Sequence, residues 1–137
     1  MDVSHLLDDL NDAQREAVTA GSGPLLVLAG AGSGKTRVLT HRVAWLVGVE
    51  GISPHSILAV TFTNKAAAEM RGRIERMLAT PVADMWIGTF HGLSHRLLRH
   101  HWREARLPQG FQILDAEDQL RLIRRVLKGL SLDEAYW

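Results

Sequence analysis

Lys35 and Thr36 close the stretch Ala29-Gly30-Ala31-Gly32-Ser33-Gly34-Lys35-Thr36. A lysine and a hydroxyl residue behind alternating glycines suit one kind of ligand, a chain of phosphates. The backbone must curl so that successive N–H groups converge on that chain, and glycines at 30, 32 and 34 permit the turn and a close approach. Lys35 offers a point charge to the β and γ oxygens, and the Thr36 hydroxyl offers a ligand to magnesium. The pattern is G-x-x-x-x-G-K-[ST] with Ala29 in the first place. Residues 29–36 are therefore expected to form a P-loop for a nucleoside triphosphate and Mg2+.

That chemistry needs a strand before the loop and a helix after it, so that the positive end of the helix points at the phosphates. Leu25-Leu26-Val27-Leu28-Ala29 is a continuous apolar run, as in a strand buried on both faces of a parallel sheet. Thr36–Val47 carries Val38, Leu39, Val43, Leu46 and Val47 at helical spacing, with Gly48 as its stop. The alternatives are a flexible glycine-rich loop or a G-x-G-x-x-G dinucleotide site. The context disfavours the first. The Lys-Thr ending disfavours the second, as does the lack of an acidic residue at the end of Ile57–Thr61.

The alternation continues. Ile57-Leu58-Ala59-Val60-Thr61 predicts a second buried strand and Lys65–Ala79 a helix with Met70, Ile74, Met77 and Leu78 on one side. Met85–Thr89 predicts a third strand and Phe90–Arg103 a third helix with Leu93, Leu97 and Leu98 inward. Before the loop, Asn11–Val18 predicts a short helix with Asn11 or Asp12 as cap and Gln14 placed as in a capping box. This rhythm implies an α/β fold with a three-layer parallel sheet. Phe111–Leu114 is followed by Asp115–Lys128, a helix with Asp115 as cap and Leu120, Ile123, Val126 and Leu127 as its stripe. This departs from the alternation and suggests a separate helical element.

The 137 residues match one modest domain, and 46% of them are hydrophobic, enough for a core. Net charge is +1, so any basic surface must be local. The most basic stretch is Phe90–Arg106, where Arg96, Arg99, Arg103 and Arg106 stand against Glu104. The absence of cysteine excludes disulfides and thiolate metal sites. Met1–Leu10 is acidic and lacks the apolar core of a signal peptide, and no run of about 18 apolar residues suits a membrane span. A cytoplasmic protein is expected. His91 and His95 stand four apart, but the segment lacks the glutamate of H-E-x-x-H and a third ligand, so zinc is not expected.

Four segments in order carry a resemblance: Leu10–Val18, Ala29–Thr36, Thr61-Phe62-Thr63-Asn64-Lys65-Ala66-Ala67-Ala68-Glu69-Met70, and Gly88-Thr89-Phe90-His91. Together they resemble the first motifs of the superfamily I DNA helicases of the UvrD/Rep/PcrA group, from about Leu10 onward. Ala29 at the head of the loop is usual in that family. The resemblance implies that the triphosphate is ATP, with Gln14 reading the adenine edge through its amide and Arg37 packing its planar guanidinium on the base. From the residues alone Gln14 reads as a helix cap and Arg37 as a solvated arginine. It also implies that Thr61, Phe62, Thr63 and Asn64, with Thr89, Phe90 and His91, contact single-stranded DNA. The chemistry agrees: an aromatic ring stacks on a base, while hydroxyls and helix N-termini bind phosphate. The competing reading makes Phe62 a core aromatic, Asn64 a helix cap and Arg103 and Arg106 part of a solvated basic face.

The family's Asp-Glu strand end, arginine fingers and second RecA-like domain are not found in this sequence. Asp133-Glu134 follows a helical segment and is not taken as that pair, and Tyr136-Trp137 does not look like a domain end. The resemblance thus implies a piece of a longer protein. Residues 1–110 would be the first part of RecA-like domain 1A, and 111–137 the start of an inserted helical domain 1B. The expected activity is that of an ATP-dependent 3′–5′ helicase acting on single strands and duplex junctions in DNA repair and replication at the nucleoid, alongside repair proteins. The piece alone should hydrolyse ATP very slowly. The alternatives are a P-loop module without motor activity and a P-loop small-molecule kinase, which lacks a visible acceptor or lid segment.

Overall fold

The computed structural model describes residues 4–132, so Asp133, Glu134, Tyr136 and Trp137 lie outside the described residues. The elements are a 3-10 turn at Ser4–Leu6, α1 at Asp12–Thr19, α2 at Lys35–Gly48, a second 3-10 turn at Pro54–Ser56, β1 at Leu58–Thr61, α3 at Asn64–Leu78, β2 at Trp86–Thr89, α4 at Phe90–His100 and α5 at Ala116–Gly129. The chain divides into two compact units, up to Ser94 and from His95 onward.

The first unit is α/β. β1 and β2 pair in parallel, with Leu58 opposite Trp86 and Thr61 opposite Thr89. α3 is the crossover, as parallel pairing requires a long connection. Its periodic apolar residues explain its packing: Met70 and Ile74 are fully buried against Ile57, Ala59, Val82, Met85, Ile87 and Val43 of α2. Burying one such side chain contributes about 1.5–3 kcal/mol. A second cluster joins Leu10, Val18 and Val38, seating α1 on α2. α1 begins with the expected capping box: Asn11 Oδ1 accepts from the Gln14 N–H at 2.9 Å, and Gln14 Oε1 accepts from the Asn11 N–H at 3.2 Å. Arg42 of α2 fastens the far end of α1, donating to the Val18 carbonyl at 2.8 Å and the Gly21 carbonyl at 3.2 Å.

The first expected strand does not form. Leu25–Ala29 has no regular structure, and Leu26 and Leu28 are 80% and 85% exposed. An apolar run becomes a strand only where another strand offers hydrogen-bond partners. The sheet of the described residues consists of β1 and β2, and Leu25–Ala29 pairs with neither. The expected three strands are thus two. α4 also stops earlier than expected, at His100, because residues 101–106 turn and Arg106 takes a left-handed φ of 54°.

In the second unit, Asp115 caps α5 as expected, its Oδ1 accepting from the Asp118 N–H at 2.8 Å. The α5 stripe is present, yet no α5 residue is buried, and Leu120, Ile123 and Val126 are about half exposed. Among the described residues, no helix is long and apolar enough to cross a membrane.

Candidate functional site

The glycine-rich loop leads directly into α2. Gly32 and Gly34 adopt φ of 74° and 83°, the left-handed region that glycine enters at little cost. The Ser33 hydroxyl donates to the Gly30 carbonyl at 2.7 Å. Lys35 folds back, and its Nζ donates to the Ala29 carbonyl at 3.0 Å and the Gly30 carbonyl at 2.6 Å. A Cβ built at Gly30 or Gly32 meets nothing within 4 Å, so the curl faces open space. Thr36 is exposed in the first turn of α2.

Of the other expected nucleotide residues, Gln14 touches this loop and Arg37 lies on its helix. Gln14 Nε2 donates to the Ser33 carbonyl at 3.0 Å while its Oε1 serves the α1 capping box. The capping reading of Gln14 holds, and the same side chain also touches the loop. Arg37 donates to the Asp9 carbonyl at 3.2 Å and lies 3.8 Å from the Asp9 carboxylate. It lines a cleft of about 580 Å³ with Thr40, His41, Arg73, Arg76 and Met77. Arg73 and Arg76 were missed from sequence, because arginines inside a helix read as a solvated face. Lys35 faces a different hollow, of about 460 Å³, with Val38, Leu39 and Arg42. Residues 35, 38, 39 and 42 lie on one side of α2 and 37, 40 and 41 on the other, as a 3.6-residue period requires.

The expected strand-binding residues gather at the carboxyl edge of the sheet. Register places Thr61 opposite Thr89, so the chain leaves β1 and β2 side by side. Neighbouring strands lie about 4.8 Å apart. Phe62 follows the first and Phe90 the second, and they are 90% and 68% exposed. The core reading of Phe62 is thereby overturned: its ring stands in solvent. Thr63 caps α3 by accepting from the Ala66 N–H at 3.1 Å, and Thr89 accepts from the Gly92 N–H at 3.1 Å. Each hydroxyl therefore keeps its own O–H for a ligand beside a helix N-terminus. Asn64 is the first residue of α3 rather than its cap, and Asn64 and His91 are exposed. His95 lies in the second unit, where its ring meets Phe111 edge-on at 5.6 Å.

Residues 10–136 match the family model of the UvrD/REP helicase N-terminal domain. The chain belongs to this family. Within the UvrD/REP helicase family it is 68% identical, over its whole length, to DNA helicase II of Escherichia coli K12 and 66% identical to that of Salmonella typhimurium LT2. It is 50% identical over 130 residues to the ATP-dependent DNA helicase PcrA of Bacillus subtilis. The chain spans 19% of the length of the first two and 18% of the third. Both clusters, the glycine-rich loop with Gln14 and the Phe62–Phe90 edge, lie in the first unit.

Proposed function

We propose that this chain is the N-terminal ATP-binding segment of an ATP-dependent 3′–5′ DNA helicase. The observation that carries the reading is the pairing, in one unit, of a lysine-closed glycine loop with an aromatic edge at the ends of two parallel strands. Residues 1–110 are read as the first part of a RecA-like, three-layer P-loop domain and 111–137 as the start of an inserted helical domain. The residues fit ATP and Mg2+: Gly30 and Gly32 leave the curl open, Gly34 supplies the left-handed turn, and Lys35 supplies the charge. Magnesium is held by few protein oxygens beside the phosphates and waters, and the Thr36 hydroxyl supplies one. When bound, the ion would neutralise charge on the phosphates.

In this reading Ala29, Gly30, Ala31, Gly32, Ser33, Gly34, Lys35 and Thr36 hold the triphosphate. Lys35 exchanges its carbonyl partners for phosphate oxygens, a stronger charge-assisted pairing. Gln14 and Arg37 flank the base. Thr61, Phe62, Thr63, Asn64, Thr89, Phe90 and His91 take single-stranded DNA by stacking and by hydrogen bonds to phosphate. Acidic and arginine groups for hydrolysis come from elsewhere in a longer protein, so the chain alone binds nucleotide without efficient turnover. Movement on a single strand, duplex unwinding, and work in repair and replication in the bacterial cytoplasm follow as the family's activity.

The test is ATP hydrolysis by the chain and by the complete protein, each with and without single-stranded DNA. Lys35→Ala should abolish DNA-stimulated hydrolysis in the complete protein while the fold persists. Unchanged turnover in that variant would overturn the triphosphate assignment.

A further inference from the structure

Arg71 stands apart from every residue assigned above. It sits in the middle of α3, where a helical arginine ordinarily reaches solvent. Here the side chain turns inward and Nη2 donates to the Ile87 carbonyl of β2 at 2.6 Å. Its Nε is buried and has no hydrogen-bond partner among the described residues. Stripping water from a guanidinium and leaving one N–H unpaired is unfavourable. Such a placement is better explained by the geometry it fixes than by net stabilisation.

That geometry joins the two halves of the aromatic edge. α3 starts at the Thr63 cap, immediately after Phe62, so the seat of the helix on the sheet sets where Phe62 stands. β2 ends at Thr89, immediately before Phe90, and Ile87 lies two residues back along the same strand. One turn further along α3, Glu75 accepts from the Val82 N–H at 3.2 Å, a second polar tie to the segment that leads into β2. Residues four apart share a helix face. Arg71 and Glu75 therefore form a ladder that locks one face of α3 to the backbone of residues 82–87, and Arg71 is the rung nearer the edge.

We propose that Arg71 is a positioning residue for strand binding: it holds α3 in register with β2 and so sets the spacing of Phe62 and Phe90 for neighbouring bases. The inference rests on the reading of that edge as a single-strand site. Arg71 touches no nucleic acid in this role and acts through the Ile87 carbonyl.

The experiment uses the complete protein, with a fluorescent oligothymidine as probe and ATP affinity measured separately without DNA. Arg71→Met should weaken oligothymidine binding about tenfold, the loss of one charge-assisted bond, and leave ATP affinity within about twofold. Arg71→Lys, which keeps a donor, should recover most of the DNA affinity. If Met at this position prevents folding, Arg71→Ala, which removes the donor and leaves room for water, takes its place with the same expected loss. Unchanged DNA affinity overturns the proposal, and so does an equal loss of DNA and ATP affinity with a lowered melting temperature, the mark of a merely structural arginine. Phe62→Ala serves as the control. If it too leaves DNA affinity unchanged, the strand-binding reading itself fails. If it weakens binding while Arg71→Met does not, only the positioning role fails.

Discussion

Gln14 Nε2 rests 3.0 Å from the Ser33 carbonyl oxygen, and a Cβ built on the neighbouring Gly34 would lie 2.8 Å from that same nitrogen. The contact makes the loop and the start of α1 one mechanical unit. Gly34→Ala should therefore suffer twice, from left-handed φ and from the collision with Gln14. The left-handed backbone alone costs about 1–2 kcal/mol. In a Gln14→Ala background the collision vanishes and only the backbone part remains. A double-mutant cycle by urea denaturation should show this, with the combined loss smaller than the two single losses added together. Strict additivity would mean that the side chains do not meet.

Gln14→Ala by itself should weaken ATP binding about tenfold and destabilise the fold by about 1 kcal/mol through the lost capping partner. Gln14→Glu separates the two roles. A carboxylate still accepts from the Asn11 N–H but cannot donate to Ser33, so stability should hold while ATP affinity falls. Calorimetric titration with ATP, paired with thermal melting, reads both.

Phe62→Ala and Phe90→Ala should each change stability by less than about 0.5 kcal/mol, as expected for exposed side chains. Each should weaken single-strand binding by about 1–3 kcal/mol, the usual worth of one stacked base. Fluorescence anisotropy with oligothymidine at fixed salt measures the second, and melting the first. A large stability loss in either variant would contradict the solvent placement of the rings.

These residues also show what was legible in the sequence. β1, β2 and their helices were readable because short apolar runs ended at turn signals and the helical stripes kept their period. Phe62 is ambiguous in sequence, since an aromatic just beyond a strand fits either a core or a surface; its place one residue past Thr61 carries it out of the alternating pattern. Leu25–Ala29 misled for the opposite reason. Its composition is that of a buried strand, but membership of a sheet is settled by a neighbour's hydrogen bonds, which no local pattern records. Arg71 was invisible because its partner carbonyl lies sixteen residues away across the crossover.

Arg42 was equally hidden, and it supports a prediction. Besides the Val18 and Gly21 carbonyls, it lies 3.7 Å from the Glu50 carboxylate with most of its side chain buried. Arg42→Ala should cost about 2 kcal/mol, because hydrogen bonds from a charged donor are lost and carbonyls at the end of α1 are left unpaired. Arg42→Lys should recover less than half, since one ammonium cannot span both carbonyls with the fork of a guanidinium. Denaturant midpoints measure the difference, and a full recovery by lysine would show that charge alone matters there.

The open run Leu25–Leu28 has a further consequence for the loop it feeds. One arm of that loop is fixed by α2, while the other hangs on backbone that joins neither strand. A ligand that needs the loop in one shape must supply the ordering entropy of that free arm, and this subtracts from its affinity. A strand that paired with Leu25–Leu28 would remove the penalty in advance. Thermodynamic linkage then runs both ways: docking of that strand tightens the ligand, and the ligand tightens the docking by the same factor.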